Sequence, residues 1–552
     1  MFSRRFAVAF STLLLAAALM PHAQQQQRQP PSQQQQRAQT NAPRQELNPA
    51  PDRRAGEGKG PFGSFAIRGA ILIDGTGAPP RGPVDVIIEG NRIRSIRSGP
   101  TPGAPMRSDR AAKTDFEIDA TGLYLLPGFV DMHVHGGGAP KNADAEYAYR
   151  LWMAHGVTTV RGVPLASNEF TVREKARSAR NEIVAPRIWN YQRPGSGWGQ
   201  GSVDDPESAR AWVRWAAQNG VDGLKIGSHS PEIMAALLDE AKKVGLGSTA
   251  HLAQTGVAQM NAIDAARLGL GTVTHFYGHF ESLLKDFVVQ PWPVDMNYDD
   301  EQFRFGQVAR LWDKIHEPGS EEWKAYLQEH LKLGTVFDPT LTIYSAGRDL
   351  MRFRNAEWHD RYTLPSLMEY YEPSRRNHGS YWYYWTTADE VAWRNFYQVW
   401  FRLVDDYKKM GGRVTTGSDS GFIYQTYGFG YINELEMLQE AGFHPLEVLQ
   451  AATMNGALTL YEPKHQRPEV GIVREGMLAD LVLVDQNPLE NLKVLYVTGA
   501  LKLNDRTGRA EQVGGIRWTI KDGIAYDAKQ LAADVVAMVE KQRAARARGT
   551  TP

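Results

Sequence analysis

The chain contains no cysteine among its 552 residues. It therefore has neither a disulfide framework nor a cysteine that could carry a lipid behind a leader sequence. It also has no excess of charge of one sign, because 62 Lys and Arg balance 62 Asp and Glu. No overall field draws the protein toward nucleic acid or acidic lipid, and we expect no nucleic-acid partner. No internal repeat is visible, which argues against a solenoid.

The first residues lack an apolar run long enough to span a bilayer. MFSRRFAVAFSTLLLAAALMPHAQ places Arg4 and Arg5 before an apolar stretch that ends at Met20. A spanning helix needs about 20 apolar residues, so we predict a signal peptide over residues 1–23 and no retained membrane anchor. This pattern predicts an exported protein, periplasmic or secreted.

Residues 24–61 contain almost nothing that a core could bury. The segment begins QQQQRQPPSQQQQRAQ and stays rich in Gln, Pro and Arg. Ordering such a chain costs conformational entropy that little apolar burial offsets. We therefore predict a disordered linker over residues 24–61.

Short strand-like runs lie at both ends of the remaining chain. The full sequence is 42% hydrophobic, which suits a globular fold. FAIRGAILIDGTGAPPRGPVDVIIEG alternates β-branched runs with Gly and Pro, as a small antiparallel sheet does. Similar runs return in MLADLVLVDQNP, LYVTGALKLND and GIRWTIKDGIAYD. We predict one small composite β-sandwich from residues 62–126 and 466–530, followed by a C-terminal helix and tail over 531–552.

Between these parts, residues 127–465 alternate apolar strand-like runs with helical periods. The runs include GVTTVRG, VDGLKIG, GTVTHFYG and GRVTTGSD, and helices such as PEIMAALLDEAKKVG fall between several of the runs. Alternation of strand and helix indicates a parallel sheet, and about eight such units would close a (β/α)₈ barrel. Periodicity alone leaves an open doubly wound sheet as the competing α/β architecture.

An aromatic-rich insertion interrupts the barrel at about residues 280–400. It contains SRRNHGSYWYYWTTADEVAWRNFYQVWF, and it is too long for an ordinary barrel loop. We expect most of these aromatics to pack the insertion's own core. The alternatives are a lid that shapes a pocket with Trp382, Tyr383 or Trp385, and a surface for homo-oligomer formation.

Six polar residues lie at or near the carboxyl ends of predicted strands. In a barrel these ends face one mouth, where such folds carry their chemistry. Distance along the chain therefore does not separate the six residues in space. His133 and His135 are at positions i and i+2 of one strand, so both imidazoles point to the same face. The residues are His133, His135, Lys225, His251, His275 and Asp419.

The six side chains make chemical sense as a metal centre. Imidazole nitrogens and a carboxylate suit Zn²⁺ or a similar divalent ion, with Mn²⁺ and Fe²⁺ also compatible, and the set has donors enough for two ions. A lysine ammonium would repel metal cations, so Lys225 must be neutral, displaced or modified there. Carbamylation by CO₂ would convert it to N6-carboxylysine, an anion able to bridge two metals.

The motifs around these residues resemble the amidohydrolase superfamily, in its imidazolonepropionase-like and Xaa-Pro-dipeptidase-like branch. The resemblance spans about residues 62–535. It rests on IDGTGAPP, LLPGFVDMHVH, HGVTTVRG, GLKIG, AHLAQ, VTH, TGSDSG, HPLEVLQAATMNGALTL and GIVREGMLADLVLVDQNPL. It implies a binuclear metal hydrolase on a distorted TIM (β/α)₈ barrel with a small composite β-sandwich.

The resemblance also implies a role for each residue. The HxH pair and Asp419 would hold the more buried metal, His251 and His275 would hold the more exposed one, and carbamylated Lys225 would bridge them. A hydroxide between the metals would attack a polarised carbonyl. Asp419 would be the catalytic residue that takes the proton and passes it to the leaving amine.

The bridging lysine favours hydrolysis of an amide or peptide-type C–N bond. Mononuclear deaminases of the superfamily lack this lysine and usually have a catalytic Glu after the third strand-end ligand, whereas AHLAQTG places no such Glu after His251. Dipeptides, N-acyl amino acids and cyclic amides are therefore the expected small-molecule substrates. Hydrolysis of a lactone or other ester is the alternative on the same site. A non-catalytic exported binding or scaffold protein is the alternative of another class.

Residues beside the metal ligands are candidates for the substrate pocket. Loop packing or solvent exposure explains them equally well, and for the arginine so does a structural salt bridge. AHLAQTG also departs from the AHAY-type turn of dipeptidase-like relatives, so prolidase activity does not transfer directly. The candidates are Arg161, His229, Gln254, Tyr277 and His279.

Overall fold

A computed structural model describes residues 47–99 and 113–549 of the chain. The predicted signal peptide and residues 24–46 of the predicted linker lie outside the described residues. Residues 100–112 and the last three positions of the predicted C-terminal tail also lie outside them. Within the described ranges, no helix is long and apolar enough to cross a membrane.

The strands of the described ranges form an eight-stranded sheet, a seven-stranded sheet and a two-stranded hairpin. They are β1 Ser64–Leu72, β2 Arg81–Glu89, β3 Arg92–Ser98, β4 Phe116–Asp119, β5 Tyr124–Pro127, β6 Phe129–Val134, β7 Val157–Gly162, β8 Arg187–Gln192, β9 Gly223–Ile226, β10 Gly247–Ala250, β11 Thr272–Thr274, β12 Val336–Asp338, β13 Leu481–Val484, β14 Ala500–Asn504, β15 Arg509–Val513, β16 Ile516–Lys521 and β17 Ile524–Asp527.

The seven-stranded sheet is parallel and runs from β6 to β12 in chain order. Residues 414–416 close it as an eighth segment. The amide of Thr415 donates to the carbonyl of Phe337 in β12 at 2.9 Å, and the amide of Met132 in β6 donates to the carbonyl of Thr416 at 2.8 Å. This closure confirms the predicted (β/α)₈ barrel and excludes the open doubly wound sheet.

Two glycines make room for one large side chain inside the barrel. A Cβ added to Gly223 of β9 or Gly247 of β10 would come within 2.4 Å or 2.1 Å of Tyr191 on β8. The guanidinium carbon of Arg161 lies 5.2 Å from the centroid of the same ring. The interior of the barrel is therefore a packed core rather than a pore, as expected for this architecture.

Helices connect successive barrel strands and build the insertion. The α-helices of the described ranges are Ala145–Ala154, Asn168–Ala179, Pro206–Gln218, Pro231–Lys243, Ala262–Arg267, His279–Ser282, Glu301–Val308, Glu321–Leu333, Ser345–Arg348, Leu350–Arg354, His359–Tyr362, Pro365–Tyr371, Thr387–Lys409, Phe429–Glu440, Pro445–Gln450, Gly456–Tyr461 and Ala528–Ala547. Short 3₁₀ or π turns lie at Ala309–Asp313, Leu341–Tyr344, Ala451–Asn455, Glu462–Lys464 and Leu492–Leu495.

The eight-stranded sheet joins the two ends of the chain. Its order is β17-β16-β13-β5-β1-β2-β3, with β4 beside β1. Strand β13 pairs antiparallel with both β5 and β16, which links the C-terminal strands to the N-terminal ones. Val86, Leu125, Leu481 and Ile520 lie in its buried core. The terminal segments thus meet in one composite β-structure, as predicted, while β14 and β15 form a separate hairpin.

Residues 47–61, which we call the strap, fall within the predicted linker but lie against the folded body. The amide of Asn48 donates to the carbonyl of Ala143, and the amide of Lys59 donates to the carbonyl of Ala525, both at 2.8 Å. Leu47 is 5% exposed. Disorder is therefore the wrong prediction for the strap. Its partners lie far along the chain, so local composition does not reveal them.

The side chain of Arg150 joins the strap to the first barrel helix and to the C-terminal helix. It is 2% exposed and contacts Glu146 at 2.7 Å and Asp534 at 2.8 Å. It also contacts Glu57 of the strap. These three carboxylates come from the first barrel helix, the C-terminal helix Ala528–Ala547 and the strap, so one guanidinium ties three separate elements together.

The aromatics of the insertion pack largely against one another. Trp382 is 5% exposed, and its ring centroid lies 5.4 Å from that of Trp385. Tyr383 is partly buried against the same core. The fully buried aromatics of the long helix Thr387–Lys409 are Trp393, Phe396, Tyr397 and Trp400. The predicted packing role therefore describes most of these side chains.

Replacing Arg150 with Ala should lower the free energy of unfolding by about 3 kcal/mol, because three carboxylates lose their partner at a buried position. Urea denaturation followed by tryptophan fluorescence measures the change. Arg402→Ala is the control, since Arg402 is 55% exposed and its pair with Asp406 is a surface contact. The control should change stability by about 0.5 kcal/mol or less. Equal effects of the two substitutions would contradict the joining role.

Candidate metal centre

The HxH pair lies at the carboxyl end of strand β6, whose six residues are all buried. His133 lies in the strand, and its Nε2 is 3.1 Å from Lys225 Nζ and 3.8 Å from Asp419 Oδ1. His135 lies just past the strand, and its Nε2 is 3.3 Å from the same carboxylate oxygen. Strand alternation thus brings both imidazoles to one carboxylate.

His275 and His251 reach the same place from two other strands. His275 follows β11 in a left-handed conformation, with φ 67°. Its Nε2 lies 3.7 Å from Asp419 Oδ2. His251 follows β10, and its ring centroid is 4.7 Å from that of His275. The structure therefore brings together the six residues that the sequence analysis places at the mouth.

Hydrogen bonds on the far side of two rings fix their tautomers. Nδ1 of His135 donates to the carbonyl of Pro164 at 2.9 Å. The hydroxyl of Thr340 donates to the carbonyl of Pro339 at 2.6 Å, so its oxygen accepts the hydrogen bond from Nδ1 of His275. Neutral rings held in this way direct an unprotonated Nε2 into the site, which is the arrangement of metal-binding histidines.

Asp419 is carried by a tightly bent loop after the eighth barrel segment. Its φ is 47°, and its amide donates to the carbonyl of His133 at 2.8 Å. Ile423 and Tyr424 also have positive φ, at 50° and 59°. That conformation is rare for any residue except glycine and unusual for a β-branched one. Strain of this kind persists where the surrounding structure enforces it, and it clusters at functional sites.

The donor set fits a divalent metal. Ligand atoms of His133, His275 and Asp419 lie within 4.8 Å of one another. Nε2 of His275 is buried and makes no hydrogen bond to the described residues. An unpaired buried nitrogen costs free energy unless a ligand occupies it, and imidazole and carboxylate donors suit zinc-like ions.

Burial sets the protonation states of the centre. It lowers the pKa of His133 and His251 well below the ordinary value and lowers that of His275 to about 3. Burial opposes ionisation of Asp419, but the neighbouring imidazole of His135 brings the pKa of this carboxyl below its usual value. Neutral imidazoles and an ionised carboxylate are the states that bind metal.

Lys225 lies in β9 and is 1% exposed. Burial first, and then nearby cations, lower its pKa to about 7 in spite of the opposing charge of Asp419. This shift favours the neutral amine, the form that does not repel metal cations.

A carboxylate that was not predicted, Asp131, joins β6 to the Asp419 loop. Asp131 Oδ1 accepts hydrogen bonds from the amides of Ser418 at 2.9 Å and His133 at 3.2 Å, and Oδ2 accepts one from Ser418 Oγ at 2.6 Å. Asp131 is fully buried. Its position two residues before His133, on the same strand face, was the available signal.

Arg161, a predicted substrate-binding residue, lies instead beneath the centre. Its Nη2 donates to Asp338 Oδ2 at 2.9 Å, and its Nε donates to the carbonyl of Met132 at 2.6 Å. Both charged side chains are 0% exposed. The prediction of a substrate contact is wrong because the barrel interior engages this guanidinium in an ion pair. Asp338, the partner, was not predicted.

The other pocket candidates occupy different places. Tyr277 lies beside the centre, with its ring centroid 4.5 Å from that of His251. Gln254 is 3% exposed, and its Nε2 makes no hydrogen bond to the described residues. His229 is partly exposed in the loop after β9. The prediction for His279 is wrong, because it is hydrogen-bonded to Tyr326 at 2.6 Å and packs outside the centre at the start of a helix.

Phe422, which was not predicted, lies beside the HxH pair. Its ring centroid is 5.9 Å from that of His135. The ammonium of Lys141 lies 3.5 Å from the Phe422 centroid, and the ring of His378 lies 5.5 Å from it. The strained loop that carries Asp419 therefore also places an aromatic ring at the edge of the site, between the side chains of Lys141 and His378.

Residues 124–302 match the sequence model of the amidohydrolase family. This range carries five of the six predicted ligands. This part of the chain is similar to the amidohydrolases. Over 128 residues it is 31% identical to an imidazolonepropionase of Arthrobacter sp. (strain FB24), covering 23% of this chain and 30% of that protein. Over 75 residues it is 41% identical to an N-acyl-D-aspartate deacylase of Alcaligenes xylosoxydans xylosoxydans, covering 13% of each chain. The chain thus aligns with less than a third of these relatives.

Several solved structures share the fold over most of this chain. A Xaa-Pro dipeptidase with bound methionine aligns with a TM-score of 0.53 at 20% identity, over 84% of this chain and 100% of that one. The bottromycin amidohydrolase aligns with a TM-score of 0.58 at 19% identity, over 86% and 90%. Ochratoxinase of Aspergillus niger aligns with a TM-score of 0.53 at 15% identity, over 85% and 96%. At these identities the likeness shows the fold.

Replacing Arg161 with Met should lower the free energy of unfolding by about 4 kcal/mol, because Asp338 is left as an uncompensated charge in the barrel core. Urea denaturation measures the loss. The double variant with Asp338→Asn should recover part of it, since neither member of the pair is then charged. A change below about 1 kcal/mol in the single variant would contradict the structural role of the arginine.

Proposed function

We propose that the protein is a metal-dependent hydrolase that cleaves an amide or peptide-type C–N bond of a small molecule. The observation that carries the proposal is the cluster of His133, His275 and Asp419, whose ligand atoms lie within 4.8 Å of one another next to a buried lysine. Unprotonated ring nitrogens and an ionised carboxylate converge there from the ends of β6, β11 and the eighth barrel segment. Such a centre at the carboxyl mouth of a barrel is suited to hydrolysis.

Two divalent ions are the proposed cofactor, with zinc as the first expectation and manganese or iron as alternatives. The HxH pair and Asp419 would hold one ion, His251 and His275 the other, and Lys225 as a carbamate would join them. Ions bound there supply an activated water and polarise the carbonyl oxygen of the substrate.

Asp419 is the residue suited to move the proton. Its pKa lies below the usual value, so it is ionised at neutral pH and can accept a proton from the attacking water. It can then return that proton to the nitrogen, which must leave as an amine. Its oxygens lie 3.3 Å from His135 Nε2 and 3.7 Å from His275 Nε2, at the point where the strand ends converge.

The names of the related proteins support C–N bonds as the target. They include an imidazolonepropionase, an N-acyl-D-aspartate deacylase and a Xaa-Pro dipeptidase. We therefore propose dipeptides, N-acyl amino acids and cyclic amides as the substrate classes. We also propose that the protein acts after export, on the basis of the leader-like residues 1–23.

Protein prepared with added divalent metal should contain about two ions per chain. Inductively coupled plasma mass spectrometry after gel filtration measures the metal content. His275→Ala should lower the metal content to about one ion and abolish hydrolysis, because its Nε2 lies in the cluster. His279→Gln is the matched control: it lies four residues further along, can still hydrogen-bond to Tyr326, and should keep both ions. Folded protein that binds no metal would contradict the enzyme and favour a non-catalytic binding protein.

Lys225 should make metal uptake depend on CO₂ and on pH. A neutral amine adds CO₂ and releases a proton, and the neutral fraction rises as the pH passes the lysine pKa of about 7. Metal uptake by stripped protein should therefore increase with bicarbonate and between about pH 6 and pH 8. Lys225→Met should remove the bicarbonate dependence and lower metal content and hydrolysis together. Normal metal content and activity in that variant would contradict the bridging role.

A further inference from the structure

We infer that Tyr344 is a positioning residue for the half of the metal centre formed by His251 and His275, because it holds the ring of Tyr277 against the imidazole of His251. Tyr344 lies in the 3₁₀ turn Leu341–Tyr344, which follows strand β12. The inference rests on the proposed function for the identity of the metal ligands. It goes beyond that function in giving the aromatic-rich insertion a role at the centre.

The imidazole of His251 is oriented in a different way from those of His135 and His275. Those two rings are each fixed by a hydrogen bond at Nδ1. His251 makes no such bond to the described residues and is held by ring packing. Its ring centroid lies 4.5 Å from that of Tyr277, at an interplanar angle of 33°. The orientation of the His251 ring therefore depends on the position of the Tyr277 ring.

A hydrogen bond between two hydroxyls holds Tyr277 in that position. The phenol oxygens of Tyr277 and Tyr344 lie 2.7 Å apart, an ordinary length for an O–H···O bond. The two side chains are only 2% and 3% exposed. Because water does not reach this pair, loss of one hydroxyl leaves the other buried without a partner. The bond therefore fixes the Tyr277 ring more firmly than a solvated bond would.

The insertion fixes Tyr344 in turn. The ring of Trp393 is stacked on that of Tyr344, with centroids 5.7 Å apart and an interplanar angle of 9°. The hydroxyl of Tyr397 donates to the carbonyl of Leu341, the first residue of the same turn, at 2.5 Å. Trp393 and Tyr397 both lie on the long helix of the insertion. This helix therefore supports the turn through its backbone and through its last side chain.

The same short segment also orients the second imidazole of this half of the centre. Thr340, directly before the turn, accepts the hydrogen bond from Nδ1 of His275. Thr340 thus orients His275 directly, while Tyr344 orients His251 through Tyr277. Contacts behind a metal ligand raise metal affinity because they hold the ligand in its bound orientation. We therefore expect the insertion to control one of the two metal affinities.

Tyr344→Phe tests this role because it keeps the ring and removes only the hydrogen bond to Tyr277. Zinc titration of metal-free protein, in competition with a chelator, measures the affinity for each ion. One of the two dissociation constants should rise about 10-fold in the variant, while the other stays unchanged. Tyr277→Phe removes the same bond from the other side and should have the same effect. The double variant should lose no more affinity than either single variant, since all three lack one shared bond.

Tyr381→Phe is the matched control within the same aromatic cluster. The ring of Tyr381 is stacked on that of Phe305 at 4.4 Å, and Phe305 lies 5.7 Å from the ring of Tyr344. The hydroxyl of Tyr381 is buried and makes no hydrogen bond to the described residues. Its removal should therefore change neither dissociation constant. Unchanged constants in Tyr344→Phe, or an equal rise of both, would overturn the inference.

A second measurement needs no metal. Diethyl pyrocarbonate modifies neutral imidazoles, and His251 and His135 are both partly exposed. In metal-free Tyr344→Phe, His251 should react about 5-fold faster than in the parent, the effect of losing one hydrogen bond, while the rate for His135 stays the same. Peptide mass spectrometry measures both rates. If the parent binds fewer than two ions, the proposed function fails and this measurement decides the inference, which an unchanged rate for His251 would overturn.

Discussion

The candidate site depends on the hydrogen bonds that join Ser418 and Asp419 to strand β6. Asp131 accepts hydrogen bonds from the amide and hydroxyl of Ser418, 287 positions further along the chain. The amide of Asp419 donates to the carbonyl of His133. These bonds close the barrel at its seam and also set the distance between the carboxylate and the histidines. The same hydrogen bonds therefore close the barrel and position the ligands of the centre.

Burial then decides the charge states inside that frame. Burial shifts the pKa values of His133, His275 and Lys225 toward their neutral forms, while the neighbouring imidazole of His135 lowers the pKa of Asp419. One layer deeper, Arg161 and Asp338 compensate each other. The barrel therefore carries a paired charge in its core and metal-competent donors at its mouth, and the two layers have different functions although they lie close together.

Much of the centre could be predicted because its signals are local. The HxH spacing, the lysine in GLKIG and the aspartate in TGSDSG each lie at the end of an apolar strand, and strand ends of a barrel face one mouth. Arg161 and His279 were misassigned by the same rule. Arg161 lies below the strand end within the barrel, and the helix that begins at His279 turns its ring against Tyr326 and Phe337. A position near a strand end does not determine whether a side chain reaches the mouth, lies inside the barrel or packs against a helix.

The sequence by itself determined the alternation of strands and helices, the composite β-structure and the order of the metal-competent residues, because periodicity and residue chemistry are written locally. Only the tertiary structure decided that Arg161 pairs with Asp338 and that the strap is ordered against Arg150. These outcomes depend on strand register and on contacts between residues hundreds of positions apart. Burial of these side chains in the folded protein sets the free energy of the contacts, and a local sequence pattern does not report that burial.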